Sequence, residues 1–298
     1  MLLYFLIRLF SIINIPFIIT RKVIISLIFA TNLLLSMTIS GIKINLKRWL
    51  IVFPFALLLN HAYAQEQYEI QVYASDVIEP HTTAIELHSN VSPSGPNNIN
   101  GYTHPFHETI EITTNINSYS EVGFYIFNRM DNSNMKYMGS HIRPRVMVPE
   151  SWGWGIGGSL SVEAGFINDP LTNETQWDYE VRPILDKKLK NHYLSFNPAI
   201  GGLFNGTVTT FSPAFKYAYT LNKKYALGIE YYGQTGKPFN WDKYDYQTHQ
   251  FYAVVDLNLL PEYEINFGIG YGITQSSDRL NIKLILGKCF FHLPYKEE

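Results

Sequence analysis

The sequence predicts an all-β protein, a transmembrane antiparallel β-barrel with twelve strands, and three observations lead there. Apolar residues alternate with polar or glycine residues at a period of two in segment after segment, the connections are alternately short and long, and Tyr and Phe recur near segment ends. The run EYEINFGIGYGI at 262–273 shows the alternation. Tyr263, Ile265, Phe267, Ile269, Tyr271 and Ile273 share one face, and Glu264, Asn266, Gly268, Gly270 and Gly272 share the other. A soluble sandwich would bury that apolar face against a second sheet, whereas an outer-membrane barrel turns it to lipid and keeps the polar face for the lumen.

The chain has 298 residues, no acidic residue before Glu66, and long apolar runs in its first 59 positions. From Met37 the stretch MTISGIKINLKRWLIVFPFALLLNHAYAQ has basic residues at Lys43, Lys47 and Arg48, an apolar run from Trp49 to Leu59, and small residues at Ala62 and Ala64. This is the pattern of a signal peptide cut after Ala64. Residues 1–36 add further apolar runs broken by Arg21 and Lys22, so Met37 is read as the true start, with a long leader or membrane anchor as the other reading. The expected organisation is a hydrophobic leader with signal peptide over 1–64, an N-terminal periplasmic segment over 65–79, the β-barrel over 80–290 and a C-terminal tail over 291–298.

Within the barrel, short runs rich in aromatic and β-branched residues are separated by Asn, Gly, Pro and Asp clusters. In chain order the strands are expected at 82–90, 105–116, 120–129, 138–148, 155–166, 176–187, 191–203, 208–220, 224–234, 248–259, 262–273 and 280–290. The fifth sets Leu160, Val162, Ala164 and Phe166 against Ser159, Ser161, Glu163 and Gly165. The sixth sets Trp177, Tyr179, Val181 and Leu185 against Asp178, Glu180, Arg182 and Asp186. The tenth opposes Phe251, Ala253, Val255, Leu257 and Leu259 to Tyr252, Val254, Asp256 and Asn258, and the last opposes Leu280, Ile282, Leu284 and Leu286 to Asn281, Lys283, Ile285 and Gly287.

Turns near 117–119, 149–154, 188–190, 221–223 and 260–261 are short. The links 91–104, 130–137, 167–175, 235–247 and 274–279 are longer, and only 204–207 is shorter than its place in the alternation requires. Short periplasmic turns and long outer loops are the habit of outer-membrane barrels, and an even strand count returns both barrel ends to the periplasmic side. Tyr193, Tyr217, Tyr219, Tyr225, Tyr231, Tyr263 and Phe290 are expected in the interfacial girdles. Pro144, Pro183, Pro198 and Pro213, in IRPR, VRPI, FNPA and FSPAF, each remove a ladder donor and are read as bulges or rim positions.

The inward face is expected to carry Glu86, Glu111, Glu163, Asp178, Glu180, Glu230, Asp256 and Glu264 together with Arg143, Arg145, Arg182, Lys216 and Lys283. Charges of both signs either line a wet pore or pair across the interior and close it. Arg143 and Arg145 are expected as counter-ions to the acids of 176–187.

Six of the 23 Lys and Arg lie before residue 65 and none of the 25 Asp and Glu do, so the remainder holds 17 against 25, a net of −8. No basic patch for nucleic acid is present. Cys289 is the only cysteine, which excludes an intrachain disulfide, a CxxC redox pair and a Cys-rich metal site. There is no GxSxG, HExxH or Gly-rich phosphate loop. His88 and Ser89, with Glu86, are weighed as a hydrolytic group, but strand neighbours point to opposite faces. His81, His104, His107 and Glu108 are weighed as a metal cluster, and their loose spacing reads as surface polarity instead. No enzyme activity, metal or cofactor is expected.

The phrases YEIQVYASDVIEPHTTAIELHSN, HETIEITTNINSYSEVGFYIF, HIRPRVMVPESW, YEVRPILDK, LSFNPAIGG, FSPAFKYAY and FYAVVDLNLLPEYEINFGIGYGI resemble a family of uncharacterised proteobacterial outer-membrane β-barrel proteins. They are more distantly similar to the barrels grouped with meta-pathway phenol-degradation transporters. That resemblance implies passage of small apolar compounds and transfers no catalytic or ligand residue. The extended leader before Met37 departs from it. The function expected is a pore or carrier for small solutes in the cell outer membrane, with outer-membrane lipid and the outer-membrane assembly machinery as partners and no nucleic acid. A structural barrel without transport and a membrane-embedded hydrolase are the alternatives.

Overall fold

The computed structural model describes residues 68–94, 106–131, 134–169, 174–206, 208–260 and 262–291. The expected leader and signal peptide, residues 65–67, and the tail beyond Phe291 lie outside the described residues. Among the described residues the strands are β1 (Thr82–Ser94), β2 (Phe106–Asn117), β3 (Ser120–Asp131), β4 (Asn134–Met147), β5 (Gly157–Asn168), β6 (Thr175–Leu189) and β7 (His192–Leu203). They continue with β8 (Thr209–Asn222), β9 (Tyr225–Gln234), the two-residue strands β10 (Gly236–Lys237) and β11 (Asn240–Trp241), β12 (Thr248–Leu257), β13 (Tyr263–Gly272) and β14 (Leu280–Phe291).

Twelve of them form a closed antiparallel barrel in which each strand pairs with its sequence neighbours, while β10 and β11 make a separate hairpin in the β9–β12 connection. Closure comes from β1 against β14, in register from Thr82↔Phe291 to Val91↔Ile282. Closing the sheet leaves no edge with unpaired main-chain groups, which a strand protein needs in hydrocarbon. One rim carries both barrel ends and the connections 118–119, 148–156, 190–191 and 223–224; among the described residues the other carries the β9–β12 connection and the link 273–279.

The faces follow the period of two. On β13 Asn266, Gly268, Gly270 and Gly272 are buried inward, and Tyr263, Phe267, Ile269 and Tyr271 are exposed outward. Outward rings form a chain along the loop rim: Tyr137 with Phe166, Phe166 with Trp177, Tyr179 with Phe204, Phe211 with Trp241 and Tyr231 with Phe251, at centroid separations of 5.1–6.3 Å. At the terminal rim Tyr119, Tyr219, Tyr225, Tyr263 and Phe290 face outward. These are two aromatic girdles around an apolar band, the surface that lipid interfaces select. Tyr193 is not in either girdle; it points into the lumen and donates to Asp186 Oδ2 at 2.9 Å.

Two expectations differ from the structure. The link at 130–137 is much shorter, because β3 and β4 stay paired out to Asp131↔Asn134 and project as a hairpin. The prolines are neither bulges nor rim residues: the register shifts fall at Val91/Ser94, Asn115/Asn117, Phe127/Asn128 and Thr220/Asn222. Pro183 and Pro198 face each other inside the wall, where the β6–β7 ladder breaks between Val181↔Ile200 and Leu185↔Phe196. The β4–β5 ladder breaks likewise at Pro144, between Ile142↔Ala164 and Arg145↔Ser161. Opposed prolines leave two carbonyls facing each other with no N–H between them. Replacing both Pro183 and Pro198 by Val supplies both donors and is expected to stabilise the barrel by about 1–3 kcal/mol, read as a higher urea midpoint in detergent; an unchanged midpoint would mean that those carbonyls are already satisfied.

Candidate functional site

The sequence read residues 65–79 as a periplasmic lead-in, but the described part of that stretch lies inside the barrel. YEIQVYAS at 68–75 alternates like a strand, yet it joins no sheet. Inward side chains of the wall take the place of a partner strand. Tyr68 O accepts from Asn90 Nδ2 at 3.1 Å and Thr109 Oγ1 at 2.8 Å, and Ile70 O accepts from Lys283 Nζ at 3.0 Å. Tyr73 N donates to Asn197 Oδ1 at 2.7 Å while its carbonyl accepts from Ser195 Oγ at 2.6 Å. The Arg145 fork spans the Ala74 and Asp76 carbonyls, each at 2.9 Å. Ser75 gives its N–H and hydroxyl to Asp186, both at 2.8 Å. Nearest the terminal rim, Ile78 N donates to Glu121 Oε2 at 2.8 Å and its carbonyl accepts from Asn115 Nδ2 at 2.9 Å.

Side chains of the segment complete the fit. Tyr68 packs with Tyr125, Phe127 and Met138, and Val72 packs with Tyr232, Tyr252 and Val254. The Tyr73 ring is flanked by three guanidinium groups, with Arg143 and Arg182 4.9 Å and Arg145 5.6 Å from its centroid. Each such contact contributes on the order of 2 kcal/mol when desolvated. The ring's hydroxyl meets that of Tyr125 at 2.8 Å.

The charged residues expected in the lumen all sit on the inward face, gathered into clusters whose membership follows register. Arg143 bonds Glu111 and lies 3.4 Å from Glu121, and Arg145 holds Glu121 at 2.6 Å. These arginines therefore serve β2 and β3, and not the acids of β6 as the sequence suggested. The β6 acid Asp178 and Glu163 flank His141 at 2.9 and 2.7 Å. Arg182 pairs with Glu180 at 2.6 Å and lies 4.0 Å from Glu69 of the inner segment. Lys216 bridges Glu230 at 3.2 Å and Asp256 at 2.8 Å, and Lys283 bonds Glu230 from the other side. Glu264 is exposed to lumen water, with Gly287 between it and Glu86.

Glu121, Ser195 and Asn197 grip the segment and were not singled out from sequence, although each occupies an inward position of its strand; Asp186, read on the polar face of its strand but not among the lumen charges, grips it too. Of the other groups weighed there, His88 is inward and buried while Ser89 lies on the outer face. His107 is inward and Glu108 outward, His81 is exposed at the turn before β1, and His104 is outside the described residues. A cavity of about 50 Å³ lies beside the segment, against Glu69, Gln71, Glu180, Arg182, Ser212 and Tyr232. It has room for a few waters.

No family model matches the sequence, and no curated protein matches it either. Among solved structures the chain is similar to an outer membrane channel from Pseudomonas putida F1, with 9% identity and a TM-score of 0.54 over 74% of this chain and 100% of that one. It is also similar to the KdgM porin at 9% identity and a TM-score of 0.46, covering 70% of this chain and 99% of that one. At such identity the first of these likenesses bears on fold, and it supports the transmembrane barrel.

Proposed function

We propose that this chain is an outer-membrane pore or carrier for small solutes, closed in the conformation seen here by residues 68–79. The observation that carries the reading is how the segment is held. A strand built into the wall would be permanent, whereas a segment bound by side-chain hydrogen bonds and ring contacts exchanges those for water and leaves as a unit. With the segment bonded to inward side chains all around the wall, passage of solutes is expected to require that it move.

Once it moves, the lumen presents the thirteen charges read from sequence, eight carboxylates against five cations, a field that favours cations. Such an interior fits small polar or cationic solutes better than the apolar compounds that the distant resemblance implies. The girdles support residence in the outer membrane, in contact with its lipid and inserted by its assembly machinery, with the terminal rim periplasmic. A structural barrel without transport is the second reading, favoured by the close pairing of the lumen charges.

Planar-bilayer recording of the purified chain from Gln65 tests the proposal. Discrete openings are expected, with a cation preference that strengthens in Arg182→Ala. Electrically silent protein, together with no uptake defect for small solutes in a deletion strain, would favour the structural barrel.

Gly157 offers a gentler perturbation. A Cβ there would fall 2.0 Å from Asp186 Oδ1 and 2.2 Å from Ser75 Oγ, so the glycine is needed for the segment to approach the wall. Gly157→Val is expected to dislodge Ser75 and lengthen the openings; unchanged gating would show that the Ser75 contact does not hold the segment.

A further inference from the structure

We infer that Glu86, His88 and Glu111 form a binding site for a divalent transition-metal ion of the Zn²⁺ class in the wall of the lumen, whether or not the barrel conducts. Register creates the site. Glu86 of β1 stands directly opposite Glu111 of β2, and His88, two residues along β1, projects from the same inward face. Two carboxylates in cross-strand pairing repel each other, so this placement calls for a cation between them.

Arg143 does not fill that role. It bonds Glu111 Oε1, which also accepts from Thr113 Oγ1 at 2.6 Å. Oε2 of both glutamates is left facing His88, 3.2 Å (Glu86) and 3.5 Å (Glu111) from Nε2. His88 is 0% exposed, and neither of its ring nitrogens makes a hydrogen bond. Neither does Oε2 of Glu86 or of Glu111. Three donor atoms thus converge within 4.8 Å of one another, with the imidazole placed between the two carboxylates as an ion-pair partner that a metal ion would replace. Ligand bonds of about 2.0–2.1 Å in a tetrahedral shell put neighbouring donors roughly 3.3 Å apart, close to the two separations seen.

One imidazole with two carboxylates suits zinc and its neighbours better than calcium or magnesium, which take oxygen ligands. Glu264, Gly287, Glu86 and Glu111 lie in one row across β13, β14, β1 and β2. Gly287 has no side chain to separate Glu264 from Glu86, so Glu264 adds a third carboxylate to the row beside the site. An ion here would clip β1 to β2 beside the seam where the barrel closes.

The test uses the full chain from Gln65, folded in detergent, stripped with a chelator and titrated with Zn²⁺ by calorimetry and with Co²⁺ by visible absorption. One ion per chain is expected, with a Co²⁺ spectrum of low coordination number. Glu86→Gln and Glu111→Gln are expected to weaken binding at least about 10–100-fold, the loss that a single supporting group causes at metal sites, and His192→Ala at the terminal rim to leave it unchanged. Glu86→Gln relieves repulsion and is expected to fold even if His88→Ala does not. Folded wild-type protein that binds neither ion at micromolar concentration would overturn the site, and so would binding that survives both glutamine variants.

Discussion

Lys283→Met is expected to lower the stability of the folded barrel by about 3 kcal/mol, the lower part of the range for breaking a buried ion pair. Lys283 is fully buried, and its ammonium bonds Glu230, the Tyr232 hydroxyl at 3.1 Å and the Ile70 carbonyl at 3.0 Å. Methionine fills the space of the stem but leaves Glu230 with Lys216 as its one nearby cation beside the Tyr232 hydroxyl, and it releases the segment at Ile70. The measurement is the urea midpoint, or the temperature at which the compact, heat-modifiable band is lost on unboiled gels. Lys283→Met combined with Glu230→Gln is expected to recover much of the loss, because it removes the uncompensated charge. A single variant as stable as wild type would show that the lumen cluster is water-filled and contributes little.

Arg145→Ala is expected to give the largest change in gating. The guanidinium holds two carbonyls of the segment and Glu121, which itself holds Ile78 N. Hydrogen bonds to a charged group contribute roughly 1.5–3 kcal/mol each. A net weakening of only about 2 kcal/mol raises the ratio of open to closed states roughly 30-fold. In bilayer recordings this would appear as long openings where wild type shows brief ones. Arg145→Lys keeps one charge but not the fork, and is expected to fall between the two. Gating identical to wild type in both variants would remove Arg145 from the closing contacts.

Much of the architecture was legible in the sequence because a barrel wall has one simple code. Side chains alternate between lipid and lumen, so Leu280, Ile282 and Leu284 announce their face without knowledge of any partner, and strand limits follow from turn residues. The hairpin of β3 and β4 was not legible, since NRMDNSNMKY carries loop composition and only cross-strand pairing out to Asp131↔Asn134 shows it to be sheet. The contacts of residues 68–79 with the wall were hidden for a related reason. Tyr68, Ile70 and Val72 have a strand's alternation, but nothing local says that the partner is a ring of side chains from strands up to 213 residues away. Charge pairing was hidden for the same cause: Arg143 looks equally able to meet Glu163 or Glu111 until register decides. The Glu86–Glu111 opposition likewise exists only once β1 and β2 are aligned.

Removal of residues 68–79 goes straight to whether that segment closes the lumen. Currents would be recorded from the chain beginning at Gln65 and from the same chain without 68–79, both admitted only if they migrate as compact, heat-modifiable species. Closure by the segment predicts a shortened barrel that stays open with a steady, cation-preferring conductance, beside a longer chain that is mostly closed. A folded, shortened barrel whose currents match those of the longer chain would contradict it.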